Sequence, residues 1–220
     1  MVRRMVFVLV LCWCALIADP VRAGGEAERV ARRIQGFYEA THSFTADFEQ
    51  EAHWRRGRRV RLSRGKVWFR KPGRMRWEYT WPEPLLVVSD GREVFVYSPR
   101  DRQVMVFPGS KALSPRVTLG FMSGRGNLLR DFVLEGAERV APGVVALTVR
   151  PRERNAQVER LRLVAQEESG EIREIWFWDY LGNLTKIRFA NLRRNVDLSD
   201  DLFRFEPPKG VEVIRERGDE

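Results

Sequence analysis

From Gly65 to Gln103 the chain alternates with a period of two. Met75, Trp77, Tyr79 and Trp81 fall on one face of an extended segment, and Arg74, Arg76, Glu78 and Thr80 on the other. That pattern predicts a sheet with one apolar, strongly aromatic face and one wet face. Turn chemistry divides the stretch into strands. Lys71-Pro72-Gly73 presets a tight reversal, and Asp90-Gly91 between LLVVS and EVFVY is a strong hairpin signal. Ser98-Pro99-Arg100-Asp101 places Pro at the second position of another turn. Upstream, Phe44, Ala46 and Phe48 alternate with Thr45, Asp47 and Glu49 and open the first strand. His53 to Arg64, HWRRGRRVRLSR, reads as the basic tip of a hairpin around Gly57, with Val60 and Leu62 in the return strand.

One helical stripe precedes these strands. Ala27, Val30, Ala31, Ile34, Phe37 and Tyr38 recur at helical spacing, which predicts an amphipathic helix over Glu26 to Ala40. Pro108 to Arg130 interrupts the pattern. Ser114-Pro115 resembles a helix start, and Gly120, Gly124 and Gly126 break the apolar run, so short helices with a flexible joint are expected. Strands then resume at Phe132, Val144, Val158, Ile172 and Leu184, separated by Pro142-Gly143, Ser169-Gly170 and Gly182-Asn183. Such spacing predicts an antiparallel meander and not βαβ units. Pro207-Pro208 near the end forbids a central strand there. About ten strands and one long helix sharing a core predict a mainly β fold: an unclosed antiparallel β-barrel, with helices forming a lid over its concave apolar face.

The first residues change the picture of where the chain works. Arg3 and Arg4 precede an apolar run, Val6 to Ala18, that is short for a bilayer span, and Val21-Arg22-Ala23 suits a signal peptidase. Residues 1–23 are therefore expected to be a cleavable secretory signal, with a retained anchor as the alternative. Residues 24–220 are expected to form a single domain that is exported and released. Both cysteines, Cys12 and Cys14, lie in the leader, so the remainder has no thiol for disulfide, nucleophile or metal. Neither follows a small residue, so an unacylated, soluble product is expected. The leader holds three Arg and one Asp, which leaves +7 of the formal +9 on the rest. An anionic membrane surface or an acidic partner suits an exported chain of that charge better than nucleic acid does.

Catalytic and metal-binding patterns are missing. His42 and His53 have no ligand cluster near them in sequence, and no Gly-x-Ser-x-Gly, phosphate-binding loop or His-Glu-x-x-His occurs. Ser63-Arg64-Gly65-Lys66 spells Ser-x-x-Lys but falls in a predicted strand without its companion motifs. No metal, no cofactor and no enzymatic activity are expected. Apolar surface remains, with Trp77, Trp81, Trp176 and Trp178 alternating in strands. A barrel filled with aromatic and Met side chains such as Met75 and Met105 is suited to a flexible apolar guest.

An ordered set of motifs resembles the outer-membrane lipoprotein carrier family (LolA). It comprises SFTADFEQ at Ser43–Gln50, G-x-V-W-F-x-K-P at Gly65–Pro72, R-W-E-Y at Arg76–Tyr79 and P-x-P-L-L-V-V-S-D-G at Pro82–Gly91. Tyr97-Ser98-Pro99, Gln103-Val104, D-x-x-G-N-x-T at Asp179–Thr185 and F-x-F-x-P-P-x-G-V at Phe203–Val211 complete it. The resemblance implies a periplasmic carrier of acylated lipoproteins. It would take them from an inner-membrane lipoprotein-releasing ABC transporter and pass them to an outer-membrane acceptor lipoprotein, as a monomer and without nucleic acid. The acyl chains are expected against Phe37, Val67, Phe69, Met75, Trp77, Tyr79, Leu86, Val88, Phe95 and Tyr97. The family's lid-pinning Arg before the turn Pro is Lys71 here, with Arg70 and Arg74 nearby. Lys lacks the planar fork, so a weaker latch is expected, or a neighbouring Arg in its place. A lipid-sensing domain of the same fold and a basic nucleic-acid-binding barrel are the competing readings.

Overall fold

The computed structural model describes residues 20–108, 122, 126–153 and 158–216. The helical stripe becomes α1, Pro20–Glu39. The period-two segments become β1 (Ser43–Trp54), β2 (Arg59–Arg70), β3 (Arg74–Trp81), β4 (Leu85–Asp90), β5 (Glu93–Ser98) and β6 (Gln103–Pro108). A helical turn, Leu128–Asp131, leads into β7 (Phe132–Ala141), β8 (Val144–Pro151), β9 (Arg160–Gln166), β10 (Ile172–Trp178) and β11 (Leu184–Arg194). A 3₁₀ turn, Asp200–Phe203, and a short strand β12, Glu212–Arg215, end the described chain. The predicted helix start at Ser114-Pro115, most of the interrupted apolar stretch around it, and the leader before Pro20 lie outside the described residues.

The twelve strands of the described residues form one sheet in the order β12-β6-β5-β4-β3-β2-β1-β11-β10-β9-β8-β7. Two antiparallel meanders meet where β1 pairs with β11. The edges, β12 and β7, do not pair with each other, so the barrel is unclosed. The expected meander is broken at one edge: β12 runs parallel to β6, with Val213 opposite Val104. This strand was hidden in the sequence because it follows Pro207-Pro208 and is four residues long.

The face on which α1 lies, here the inner face, carries the main core. Phe44, Phe48, Phe69, Trp77 and Phe189 meet there with Ile34, Phe37 and Tyr38 of α1 and with Leu147, Leu161, Leu163 and Ile175 of the second meander. The rings touch in sequence: Phe44 stacks on Phe69 at 4.7 Å, and Phe48 meets Trp77 edge-on at 4.7 Å and Tyr79 at 4.9 Å. Each buried aromatic of this kind contributes roughly 2–3 kcal/mol from desolvation, with up to about 1 kcal/mol more from ring geometry.

The outer face of β4 to β6 carries a second, smaller core. Val88, Val104 and Val106 are buried there, and Phe205 lies against Phe95 at 5.5 Å and Tyr97 at 5.7 Å. The segment holding Phe203 and Phe205 is strapped down by charge. Arg70 and Arg74 both donate to the Asp200 carboxylate, the latter at 2.7 Å, and Arg70 also reaches the Leu198 carbonyl. These hydrogen bonds, first from Arg70 and then from Arg74, hold the Asp200 pKa below its ordinary 3.8. A depressed carboxylate contributes stability above its unfolded pKa and loses it as pH falls through the folded one. Asp200→Asn is therefore expected to raise amide hydrogen exchange across residues 200–216 at neutral pH. The wild type should come to match it only when acidified below about pH 3.8. Equal exchange in the two proteins at neutral pH would remove Asp200 from the strap.

Candidate functional site

The inner face has two parts. Around Phe48 and Trp77 it is filled. Toward β4, β5 and β6 it opens, because the register continues the apolar face while burial declines. Tyr79 pairs with Leu85, Trp77 with Val87, Val87 with Val96 and Val96 with Met105. Tyr79, Leu85, Val87, Val96 and Phe107 are half-buried, and Met105 is 39% exposed. The result is an apolar strip that leads from a packed aromatic floor to solvent. A polar inset at the floor is the pair Tyr79 and Gln50, the Tyr79 hydroxyl donating to Gln50 Oε1 at 3.1 Å. Burial pushes that hydroxyl's pKa up to about 12, so it stays neutral at physiological pH.

The structure brings six of the ten residues chosen from sequence to this face. Phe37, Val67, Phe69, Met75 and Trp77 belong to the inner core, and Tyr79 packs against it. The other four lie on the opposite face. Leu86 pairs with Tyr97 and Val88 with Phe95, and all four serve the outer core beneath the C-terminal strap. The register puts Leu85, Val87, Val96 and Phe107, none of them chosen from sequence, on the inner face in their place. The signal available was the unbroken run Leu85-Leu86-Val87-Val88, which marks a strand covered on both faces, where alternation carries no information.

The tryptophans also redistribute. A bulge sets Arg64 opposite Trp81 while Gly65 faces Tyr79, so Trp81 leaves the face of Tyr79 and lies under the Arg64 guanidinium at 5.6 Å. Trp176 and Trp178 stand on the outer face beneath cations, with Lys186 Nζ 4.3 Å from one ring and Arg160 4.7 Å from the other. Trp77 is the tryptophan of the described chain that builds the inner core.

The cover of the inner face is α1, and its C-terminus is tied from several strands. Lys71 Nζ donates to the Tyr38 carbonyl at 2.6 Å and the Glu39 carbonyl at 3.2 Å, which are unsatisfied acceptors at a helix end. Burial lowers the Lys71 pKa, and the Glu39 carboxylate opposes that. Asn195 accepts from the His42 amide and donates to the Ala40 carbonyl. Farther along α1, Arg33 donates to the Glu168 carbonyl at 2.6 Å. Gly170, at φ +81°, lets the β9–β10 turn approach the helix backbone, where a Cβ would stand 2.4 Å from the Arg33 carbonyl oxygen. Of the sequence candidates for the latch, Lys71 reaches the helix. Arg70 and Arg74 point to the outer strap instead.

An open β-barrel with a helix laid over an apolar inner face is the class this architecture defines. An uncharacterized conserved protein from Thermus thermophilus shares the fold at a TM-score of 0.53 and 18% identity, over 86% of this chain and 99% of that one. The family model "Outer membrane lipoprotein carrier protein LolA" matches residues 39–206. An outer-membrane lipoprotein carrier protein from Alkalilimnicola ehrlichii is 34% identical over 218 residues, covering 98% of this chain and 97% of that protein. Another, from Dechloromonas aromatica, is 32% identical over 186 residues, covering 84% and 86%. The chain belongs to the LolA family of outer-membrane lipoprotein carrier proteins.

Proposed function

We infer that this protein is a periplasmic lipoprotein chaperone that shelters acyl chains on its inner face. The observation that carries the reading is the strip Leu85, Val87, Val96, Phe107 and Met105, apolar and half-open, continuous with the aromatic floor. Each acyl CH₂ left in water costs about 0.8 kcal/mol, so a lipoprotein with two or three long chains cannot cross an aqueous space unaided. The cargo arrives from an inner-membrane ABC transporter and leaves to an acceptor at the outer membrane. The carrier works as a monomer, without its own catalysis, after its leader is removed before Gly24.

Helix α1 and the guest compete for the same face, and Lys71 favours the closed arrangement. Weakening the latch shifts the population toward the open, loaded form. The test is a reconstituted assay in which the protein releases a triacylated lipoprotein from inner-membrane vesicles and passes it to acceptor-bearing vesicles. Wild type should release the acylated form and leave a non-acylated control behind. Lys71→Leu should load normally but hand over several-fold less. Release that ignores acylation contradicts the carrier reading; wild-type handover by Lys71→Leu contradicts only the latch.

A further inference from the structure

The end of the sheet remote from the ties of α1 is unlike the rest of the surface. Exposed there are Trp54 at the end of β1, Val60 and Leu62 in β2, Trp81 at the end of β3, and Tyr180 and Leu181 in the β10–β11 turn. Leu181 is 75% exposed at the tip of its turn. Between the apolar groups stand Arg55, Arg56, Arg58 and Arg59, all exposed. The hairpin tip and the β10–β11 turn form one surface. The Arg55 amide donates to Asn183 Oδ1 at 3.1 Å, and the Arg55 side chain passes over Gly182, where a Cβ would lie 3.0 Å from its Cδ.

Three of the carboxylates nearby are held by other groups. Glu83 serves Arg61 and Arg100, Glu51 faces His53, and Asp179 accepts from the Leu181 and Asn183 amides of its own turn. Among the described residues, Arg55, Arg56, Arg58 and Arg59 form no ion pair with a carboxylate. This end therefore offers unneutralised guanidinium groups around projecting Trp, Tyr and Leu side chains. Guanidinium matches phosphate, Trp and Tyr sit at headgroup depth, and a projecting Leu reaches the acyl boundary. These side chains project from strand ends and from the β10–β11 turn, which fits a fluid planar surface better than the pocket of a protein partner.

We propose that this end of the sheet docks the protein on anionic phospholipid bilayers, with Trp54, Tyr180 and Leu181 entering the interface and Arg55, Arg56, Arg58 and Arg59 on the phosphates. Docking stands on the tip alone and would hold if the inner face carried nothing. It also places the end of the barrel not held by α1 against the membrane.

The test uses residues 24–220, because the apolar leader would itself partition, and co-sedimentation with vesicles of phosphatidylcholine with or without phosphatidylglycerol. Binding should require phosphatidylglycerol and weaken as salt rises from about 0.05 M to about 0.5 M. Arg56→Glu with Arg59→Glu, and separately Leu181→Asp, should each weaken it by about tenfold or more while leaving the melting temperature in place. Leu181→Cys provides a single labelling site, since Cys12 and Cys14 both precede residue 24. A polarity-sensitive dye there should shift to the blue on phosphatidylglycerol vesicles. Equal binding to both vesicle types, binding unchanged in the variants, or an unshifted dye would overturn the proposal. So would capture by an acidic peptide with no binding to vesicles.

Discussion

Gly65→Ala is expected to strip the protein of a large fraction of its folding stability. Gly65 sits at the bulge where β2 meets β3, opposite Tyr79. A Cβ built on it would lie 1.9 Å from the Glu78 carbonyl oxygen, 2.8 Å from its carbon and 2.9 Å from Phe48 Cε1. The first two are backbone atoms of the neighbouring strand and cannot rotate away. Relief requires β3 to move out from β2, which would pull Tyr79 and Trp77 from the Phe48 ring they enclose. A cost on the order of 4 kcal/mol follows, comparable to a large core deletion and a big fraction of a domain's stability. Denaturant unfolding checks it. A loss under about 1 kcal/mol would show that the two strands are not locked at this register.

How far this could be read in advance differs along the chain. The amphipathic stripe of α1 and the hairpins at Gly57, Gly73 and Gly91 are local signals, and all three turns carry Gly at positive φ as their dipeptides required. The unclosed barrel followed from strand count and turn spacing. The faces of β4 and β5 did not. Leu85-Leu86-Val87-Val88 is apolar on both sides because Phe203 and Phe205 return from over a hundred residues away to cover the outer one. That partner was visible only as a proline-rich tail. Trp81 was misplaced by a bulge, a one-residue irregularity that reverses every later assignment of face. The helix tie was legible only as a choice: the resemblance pointed to the position before the turn Pro and left Lys71, Arg70 and Arg74 open, and it took the fold to set Lys71 beside the carbonyls at the end of α1.

Val87→Glu is expected to abolish cargo pick-up while leaving a folded protein. Val87 is half-buried, pairs with Trp77 on one side and Val96 on the other, and stands where the filled floor gives way to the open strip. The free protein can hydrate a carboxylate there, so a stability loss of roughly 1–2 kcal/mol is expected. With hydrocarbon laid over it, the same carboxylate would be desolvated without a partner, a penalty of several kcal/mol that a carrier's modest affinity does not offset. Lipoprotein release should fall at least about a hundredfold, far more than the thermal shift explains. Retention of near-wild-type release would move the guest off β4.

The most direct test of the inner-face site compares two adjacent residues. Val96 and Tyr97 are consecutive in β5, both half-buried, and point to opposite faces: Val96 toward the strip beside Val87 and Met105, Tyr97 toward Phe205 under the strap. A photo-reactive phenylalanine analogue is placed at each position in turn, and the carrier is loaded with a radiolabelled-acyl lipoprotein and irradiated. With acyl chains on the inner face, label cross-links to the protein from position 96 and stays at background from position 97. Label captured from 97, or equally from both, would contradict that placement.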